Sequence, residues 1–290
     1  WFEQNRADCE RVLEHIRQFG EVKSSSFERK DGRRGAWWDW KIEKDALEYW
    51  FQQGEVMVAR RDHFQRVYDL RERLLPAWSD DLAPSLEETL TALCEKSLQA
   101  LGVALPAWVA DYYRLPKKQV AQTINDLRKT GKAIEIRIEG FDEAALAHPA
   151  NLQWIEAAMA GELEATHTTF LTPFDALIWD RKRTRQLFDF DYTIEVYQPQ
   201  HKRVYGYYTM PILHRGSLVG RLDAKAHRQE GMFEVRSIHL EPGIAVNGQL
   251  TADLAEAIQN CATWHKTPSV VLQKTSPTQL LPALRNYFLN

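Results

Sequence analysis

Residues 41–70 read KIEKDALEYWFQQGEVMVARRDHFQRVYDL, and this stretch decides which fold we expect for the first part of the chain. Its first half repeats apolar residues at helical spacing and ends at Gly54, a residue type that commonly stops a helix. Its second half contains two runs rich in valine and aromatic residues, 55–59 and 64–70, with a turn at Asp62-His63 between them. We therefore predict one helix followed by a two-stranded hairpin.

Two further helices are predicted upstream of this stretch. Residues 4–19 place apolar side chains at helical spacing before Gly20, and a serine in the polar run 24–28 can cap a brief second helix. Helix, short helix, helix and hairpin is the element order of a winged helix-turn-helix, whose third helix enters the major groove in the DNA-binding form. We assign residues 1–80 to a winged-helix module.

The same order of elements recurs in residues 81–165, which we assign to a second winged-helix module. Three helices and then a half-buried strand are predicted, at 86–101, 106–113, 117–130 and 133–138. No second wing strand is evident, and residues 141–160 are predicted to form a helical link that is broken at Pro149. The assignment rests on element order alone, because the two stretches share no residue-level repeat.

Residues 166–290 change in character, and we assign them to an α+β module. Four strands rich in tyrosine, valine and isoleucine are predicted, at 192–196, 204–210, 217–225 and 232–240. An amphipathic helix, a short strand and a short helix follow, at 250–266, 270–272 and 279–288. The predicted fold class is α+β, with tandem winged helix-turn-helix modules followed by an antiparallel β-meander module with a C-terminal helix.

The composition of the chain excludes several classes of protein. The net charge of −3 shows no overall basic excess, although Lys and Arg outnumber Asp and Glu by eleven to six between Arg181 and Arg236. Three widely spaced cysteines do not suggest a disulfide framework, and no apolar run approaches the length of a membrane span. We expect a cytoplasmic, monomeric protein without a membrane segment. Because the chain starts with Trp1 rather than methionine, we expect it to be a piece of a longer protein.

Familiar catalytic signatures are not present in the sequence. It contains no Gly-x-Ser-x-Gly elbow, no phosphate-binding P-loop, no glycine-rich dinucleotide turn and no His-Glu-x-x-His motif. The nine histidines show no metal-ligand spacing with one another or with cysteine. We therefore expect neither a metal nor a cofactor.

Two basic clusters are candidates for contact with phosphate. Arg181 and Arg183 belong to a run of four cations within five positions, which is also typical of a solvated helical turn. Lys202 and Arg203 lie at the predicted tip between the first two strands of the meander, where a plain exposed turn is the alternative. Both clusters are therefore interpreted as possible DNA-backbone contacts.

A third candidate is the segment 221–228. On a strand of period two, Arg221, Asp223 and Lys225 would share one face, and the intervening apolar residues would share the other. An aspartate between two cations is held ionised. The segment is either a surface ladder of charges or a positioned carboxylate or phosphate clamp.

Two other conspicuous groups have a structural interpretation. Asp175 follows the rigid Pro173, and we interpret it as a helix cap rather than a catalyst. The cluster Trp37-Trp38-Asp39-Trp40 is interpreted as packing of a recognition helix onto its core, with base stacking as the alternative.

Several motifs spread over nearly the whole chain carry a resemblance to a known family. They are WWDW at 37–40, FQRVYDL at 64–70, WVADYYRL at 108–115, LTPFDALIWDRKR at 171–183, QLFDF at 186–190, YGY at 205–207, PILHRG at 211–216 and VGRLDAK at 219–225. On these residues the chain resembles the YcaQ/AlkZ-like family of winged-helix DNA glycosylases.

The resemblance implies a monofunctional DNA glycosylase of tandem winged helices around a concave channel. It implies a double-stranded DNA partner carrying alkylated or crosslinked purines, from which N7-alkylated bases are removed and interstrand crosslinks unhooked. The family's catalytic motif, Gln-aliphatic-Asp or Gln-aliphatic-Gln, is expected upstream of this chain. The look-alike Gln198-Pro199-Gln200 has proline in its middle, so no catalytic residue is carried over. We expect the chain to be a DNA-binding portion that is inactive alone.

The resemblance and the charge pattern together indicate which residues contact DNA. The predicted set is Arg181, Arg183, Lys202, Arg203, Arg215, Arg221, Lys225, His227 and Arg228. Two alternatives stay open: a non-catalytic winged-helix regulator or adaptor, and a structural interaction module. The predicted helices 41–53 and 117–130 offer few Arg for guanine edges, which weakens the regulator interpretation.

Overall fold

A computed structural model describes residues 1–27 and 41–288 of the chain. The Trp37–Trp40 cluster, for which packing was predicted, lies outside the described residues. The chain divides into two compact units, Trp1–Pro84 and Ser85–Asn290. The predicted boundary after residue 80 lies close to this division, and the one after residue 165 lies inside the second unit. The division into three modules stays a prediction.

The first unit combines helices with one antiparallel hairpin. Its elements are α1 (Phe2–Phe19), a 3-10 turn (Ser24–Ser26), α2 (Ile42–Gln53), β1 (Val56–Asp62), β2 (Gln65–Leu70) and α3 (Arg71–Leu74). Val12 and Ile16 of α1 share a buried core with Leu47 of α2 and apolar residues of the hairpin. Gly54 ends α2 in the left-handed conformation, at φ 79°. The predicted helices and hairpin are therefore confirmed as elements, whereas their winged-helix arrangement stays a prediction.

The second unit begins with a helical segment and a small sheet. Its elements are α4 (Leu86–Leu101), β3 (Val103–Ala104), α5 (Pro106–Tyr112), α6 (Lys117–Lys129), β4 (Ile134–Ile136), β5 (Ala145–Ala147) and α7 (Leu152–Met159). A capping box starts α4, because the Ser85 hydroxyl accepts from the Glu88 N–H and the Glu88 carboxylate accepts from the Ser85 N–H. The three predicted helices of this segment are confirmed.

The predicted helical link at 141–160 is wrong in its first half. Ala145–Ala147 is a buried strand that lies between β3 and β4 and pairs antiparallel with both. Alanine and leucine favour helices in isolation, but pairing with two strands and burial of all three side chains override that propensity. The sequence showed no partner for the strand predicted at 133–138, and Ala145–Ala147 is that partner.

The second unit ends in a five-stranded sheet covered by helices. Its elements are β6 (Thr168–Phe170), α8 (Arg181–Phe188), β7 (Thr209–His214), β8 (Ser217–His227), β9 (Met232–Leu240), α9 (Gly248–Trp264), β10 (Ser269–Ser276) and α10 (Leu280–Arg285). The strand order is β10-β9-β8-β7-β6. All neighbours are antiparallel except β10, which runs parallel to β9 after the crossover through α9. The protein is thus mixed α+β.

Two of the four predicted meander strands are not where the sequence placed them. Residues 192–196 form no strand, and the strand predicted at 204–210 begins at Thr209 and continues to His214. Tyr192 and Glu195 are buried by side-chain and loop contacts rather than by a strand ladder. The tyrosine, valine and isoleucine residues of this segment favour strands in general, but loop packing overrides that propensity here. Among the described residues, no helix has the length and apolar character needed to cross a membrane.

Candidate nucleic-acid interface

The five-stranded sheet has one apolar face and one polar face. Leu222, Ala224 and Ala226 of β8 belong to the core that packs against α9. Side chains alternate along a strand, so Arg221, Asp223 and Lys225 lie on the opposite face. The prediction that these charged residues share one face is confirmed.

The segment 189–208, which we call the covering loop, lies over part of the polar face. Tyr192 is 1% exposed, and its hydroxyl donates to the backbone oxygen of Thr209 at 2.6 Å. Burial raises the pKa of Tyr192 to about 12, so the phenol stays protonated and remains a donor. Farther along, the Ser237 hydroxyl donates to the backbone oxygen of Tyr205 at 3.1 Å. These bonds hold both ends of the covering loop on the sheet.

Arg221 links the covering loop to the sheet and is only 3% exposed. Its guanidinium carbon lies 4.6 Å from the centre of the Phe190 ring and 4.0 Å from that of Tyr205. One guanidinium nitrogen donates to the Glu241 carboxylate at 2.5 Å. Two aromatic rings and an ion pair therefore enclose this cation, which has no free surface for a phosphate in this structure.

Glu195 determines the backbone course of the covering loop. Its carboxylate accepts N–H bonds from Val204, Tyr205 and Gly206 at 2.9, 2.8 and 3.0 Å. Burial alone would raise the pKa of Glu195, but the three backbone donors outweigh it and lower the pKa below its ordinary value. The carboxylate is therefore ionised near neutral pH and holds three consecutive amides.

Asp223 holds the next amide of the same segment. Its Oδ2 accepts from the backbone N–H of Tyr207 at 3.1 Å, and the side chain is 6% exposed. A Cβ atom on Gly206 would lie 2.3 Å from this same oxygen, so only glycine lets the backbone approach. The sequence indicated an ionised Asp223 between two cations. The structure instead places it beneath the covering loop as an acceptor for backbone.

A polar cavity of about 440 Å³ opens between the covering loop and the sheet. Its lining brings together three cations and one carboxylate: Arg203, Arg236, Lys274 and Asp223. Tyr205, Tyr207, Ser237 and loop backbone complete the wall. We call this space the polar cavity.

Sequence reasoning identified only part of this lining. Arg203 was predicted, whereas Arg236 and Lys274 were not among the predicted contacts. Arg236 reaches this face because its neighbour Val235 points into the core and side chains alternate along β9. The register irregularity beside it keeps Ser237 on the same face as well. Lys274 arrives on β10, whose pairing with β9 is decided by the crossover through α9.

Lys202 and Arg203 do not lie at a hairpin tip, because the strands predicted on either side are absent. Lys202 is the last residue of a 3-10 turn at Gln200–Lys202 within the covering loop, and Arg203 follows it. Lys202 is exposed, whereas Arg203 donates from Nε to the Gln198 backbone oxygen at 2.9 Å. The guanidinium carbon of Arg203 lies 4.8 Å from the centre of the Tyr207 ring. The look-alike motif 198–200 therefore lies in the covering loop, where the Gln198 backbone oxygen accepts from Arg203.

The remaining predicted residues of β8 and its turns fall at opposite ends of the strand. Lys225 is exposed, His227 contacts Glu234 at 3.0 Å, and Arg228 contacts His265 at 3.0 Å at the β8–β9 end. Arg215 lies in the β7–β8 turn and donates to Asp253 at 2.7 Å. The strand has 11 residues. Its ten intervals of about 3.3 Å span roughly 33 Å, so Arg215 and Arg228 lie near opposite ends of the strand.

Helix α8 holds the other basic run. Asp180, and not Asp175, caps the helix by accepting the N–H groups of Lys182 and Arg183 at 3.0 and 3.1 Å. Asp175 caps a preceding turn through the N–H of Leu177 at 2.9 Å. Arg183 is 1% exposed and donates to the backbone oxygen of Ala176, so it too has no free surface for a phosphate.

Arg181 is half-buried at the start of the same helix. It donates to the backbone oxygen of Ile178 at 2.7 Å and lies 4.4 Å from the centre of the Tyr192 ring. Burial lowers its pKa from the ordinary arginine value. A second cavity, of about 530 Å³, is lined by residues of α5 and α8 that include Arg181 and Lys182. Within residues 1–27 and 41–288, no group of three or more His, Cys, Asp or Glu side chains is placed to hold a metal ion.

Comparison with known proteins adds one family and no fold relative. A family model described as DNA glycosylase AlkZ-like matches residues 1–264 of this chain. The match extends to the end of α9 and includes the covering loop and most of the polar cavity, with Lys274 beyond it. No solved structure matches the chain.

Proposed function

Because the chain belongs to the family of AlkZ-like DNA glycosylases, we propose that it is the DNA-binding portion of a repair enzyme for alkylated purines. The proposed reaction is hydrolysis of the N-glycosidic bond of N7-alkylated purines, including those joined in interstrand crosslinks. The observation that carries the proposal is the family match over residues 1–264. The proposed partner is double-stranded DNA.

The chemistry of the lesion limits what such an enzyme must supply. Alkylation at N7 makes the purine cationic, so the base is already a good leaving group. The protein then has to position a water and stabilise the positive charge that develops on the sugar. A crosslinked base remains attached to the other strand, so an open channel suits it better than a closed pocket for a flipped base.

No residue of this chain is proposed as catalytic. In the sequence, the one Gln-x-Gln or Gln-x-Asp arrangement is Gln198-Pro199-Gln200, and its first residue uses its backbone oxygen to hold Arg203. We propose that these residues bind DNA and that the catalytic glutamine motif belongs to another winged helix of the enzyme.

Basic residues of the second unit that are at least partly exposed are the proposed DNA contacts. Lys202, Arg203, Lys225, His227 and Arg228 keep at least part of their surface open. Of the nine residues predicted from sequence, Arg183 and Arg221 are buried, so their contribution to DNA binding would be indirect, through the shape of α8 and of the covering loop.

The test compares base release from duplex DNA that contains 7-methylguanine. One arm uses this chain, and the other uses a longer protein that carries one additional winged-helix module ahead of residue 1. Release by the longer protein alone is the expected result. If this chain alone releases the base, the proposal that the catalytic motif lies in another winged helix is wrong. Asp175 and Asp223 would then be the first carboxylates to substitute. DNA binding without release in either arm would favour a non-catalytic adaptor.

A further inference from the structure

We propose that the polar cavity binds one unpaired nucleotide, with the phosphate at its cationic rim and the base against its floor. The inference rests on the proposed function, since it names the unit of DNA that one part of the DNA-binding surface takes. No chemistry is assigned to the cavity.

The rim offers three cations with unused binding capacity. Lys274 is exposed and has no ion-pair or hydrogen-bond partner among the described residues. Arg203 bonds to one backbone oxygen, and no carboxylate pairs with it within the described part of the chain. Arg236 donates to Glu234 at 3.2 Å, but Glu234 also serves His227. A phosphate at this rim would therefore meet positive charge that is only partly compensated.

The floor excludes a bare phosphate as the preferred occupant. Asp223 is 6% exposed, forms part of the buried floor of the cavity and accepts a backbone N–H. The Ser237 hydroxyl, also on the floor, is already donated to the Tyr205 backbone oxygen. An anion deep in the cavity would be repelled by the carboxylate. The fitting ligand is anionic at one end and carries N–H donors at the other.

A nucleotide has this distribution of groups, and the cavity offers planar surfaces for its base. The Tyr207 ring is 47% exposed beside the rim, and the Arg203 guanidinium lies 4.8 Å from its centre. Bases stack on both kinds of group in proteins that bind single strands. A volume of about 440 Å³ is far larger than one phosphate needs and lies within the range of small-molecule sites.

The floor also predicts which bases bind best. A carboxylate can accept a hydrogen bond from the amino group of cytosine. Thymine carries a carbonyl oxygen at the same ring position, which cannot donate. Asp223 Oδ2 holds the Tyr207 amide, and the carboxylate has further lone pairs for a second donor. Cytosine should therefore be preferred to thymine, and the preference should depend on Asp223.

The experiment measures fluorescence anisotropy of labelled twelve-residue oligonucleotides of deoxycytidine or deoxythymidine over a range of salt concentrations. The full chain should bind the deoxycytidine strand more tightly. Tyr207→Ala should weaken binding roughly 5-fold or more, because one stacked base is lost. Lys274→Ala should lower the slope of log affinity against log salt by about 0.7, the value for one phosphate contact on a single strand. Asp223→Asn, which keeps an acceptor for the Tyr207 amide, should abolish the preference for cytosine.

Matched variants separate the cavity from general effects of charge and stability. Lys96→Ala removes an exposed cation from α4, and Tyr287→Ala removes a ring that is 50% exposed and lines a different cavity. Neither should change affinity for the single strand. Competition with free dCMP, dTMP and inorganic phosphate distinguishes a nucleotide site from an anion site: dCMP should compete best.

The outcomes are distinguishable from failure of the proposed function. If duplex DNA still binds while Tyr207→Ala and Lys274→Ala match the parent on single strands, the inference about the cavity is overturned and the proposed function stands. Equal competition by inorganic phosphate and dCMP would also overturn it. If the chain binds neither duplex nor single strand, both proposals fall. Competition by dCMP without preference for an oligonucleotide would assign the cavity to free nucleotides rather than to a DNA strand.

Discussion

Four consecutive backbone N–H groups, from Val204 to Tyr207, are held by two buried carboxylates rather than by a strand. Glu195 takes the first three and Asp223 the fourth. Charge-assisted bonds of this kind are stronger than neutral ones. At the scale of single residues, these two carboxylates determine where the backbone places Arg203 and Tyr207.

Glu195→Gln should destabilise the second unit, because a neutral amide is a weaker acceptor for three amides and adds an N–H group that needs its own partner. We expect a loss of about 1–3 kcal/mol in the free energy of unfolding at pH 7, measured by urea denaturation. The exposed Glu256→Gln on α9 is the control and should change little.

The effect of Glu195→Gln on stability must also depend on pH. The pKa of Glu195 is lowered by folding, so its stabilisation is present above the unfolded value near 4.5 and is lost as pH falls through the lower folded value. A difference between parent and variant that persisted unchanged to strongly acidic pH would contradict this account.

Gly206→Ala should destabilise the same loop for a steric reason. The added Cβ would lie 2.3 Å from Asp223 Oδ2, and Gly206 has φ +150°. Overpacking of this kind costs roughly 1–3 kcal/mol. Gly243→Ala is the matched variant, because that glycine also has positive φ, at +85°, but among the described residues no atom lies within 4 Å of an added Cβ. Thermal unfolding of both should show the larger loss for Gly206→Ala. Equal losses would mean that backbone conformation, and not contact with Asp223, requires the glycine.

At the scale of elements, the small sheet of the second unit depends on a segment whose composition favours a helix. Leu146→Ala should cost about 2–5 kcal/mol, since Leu146 is fully buried in strand β5 between two partners. Leu163→Ala, at a position 47% exposed, should cost far less. Urea unfolding measures both. Similar small losses in the two variants would indicate that residues 145–147 are not the central strand.

The polar face of the five-stranded sheet is also an element-scale product. Period two along β8 places Arg221, Asp223 and Lys225 together, as predicted. The sequence could not indicate that the covering loop would bury Arg221 between two aromatic rings and leave Lys225 exposed. Burial of a charged side chain depends on what packs over it, and that is decided by distant residues.

At the scale of the whole molecule, a net charge of −3 means that attraction to DNA must come from local clusters of cations. Lys202→Glu combined with Arg203→Glu should weaken binding to duplex DNA of any sequence and flatten its salt dependence. Two phosphate contacts account for a change of roughly 1.8 in the slope of log affinity against log salt. Anisotropy titrations at several salt concentrations measure both quantities. Binding that is unchanged at low salt would remove this part of the covering loop from the interface.

The sequence by itself determined the α+β class and the bounds of most helices, because periodic apolar residues, caps and glycine stops act within a few residues of chain. It also determined the family, through motifs spread over nearly the whole chain. It also determined which residues of β8 share a face. The tertiary structure decided that Ala145–Ala147 is a strand, that residues 192–208 are a loop held by Glu195 and Asp223, and that Arg183 and Arg221 are buried. It also brought Arg236 and Lys274 to the same cavity as Arg203. These features depend on pairing and packing between segments far apart in the chain. Local propensity does not indicate which distant segments will pair.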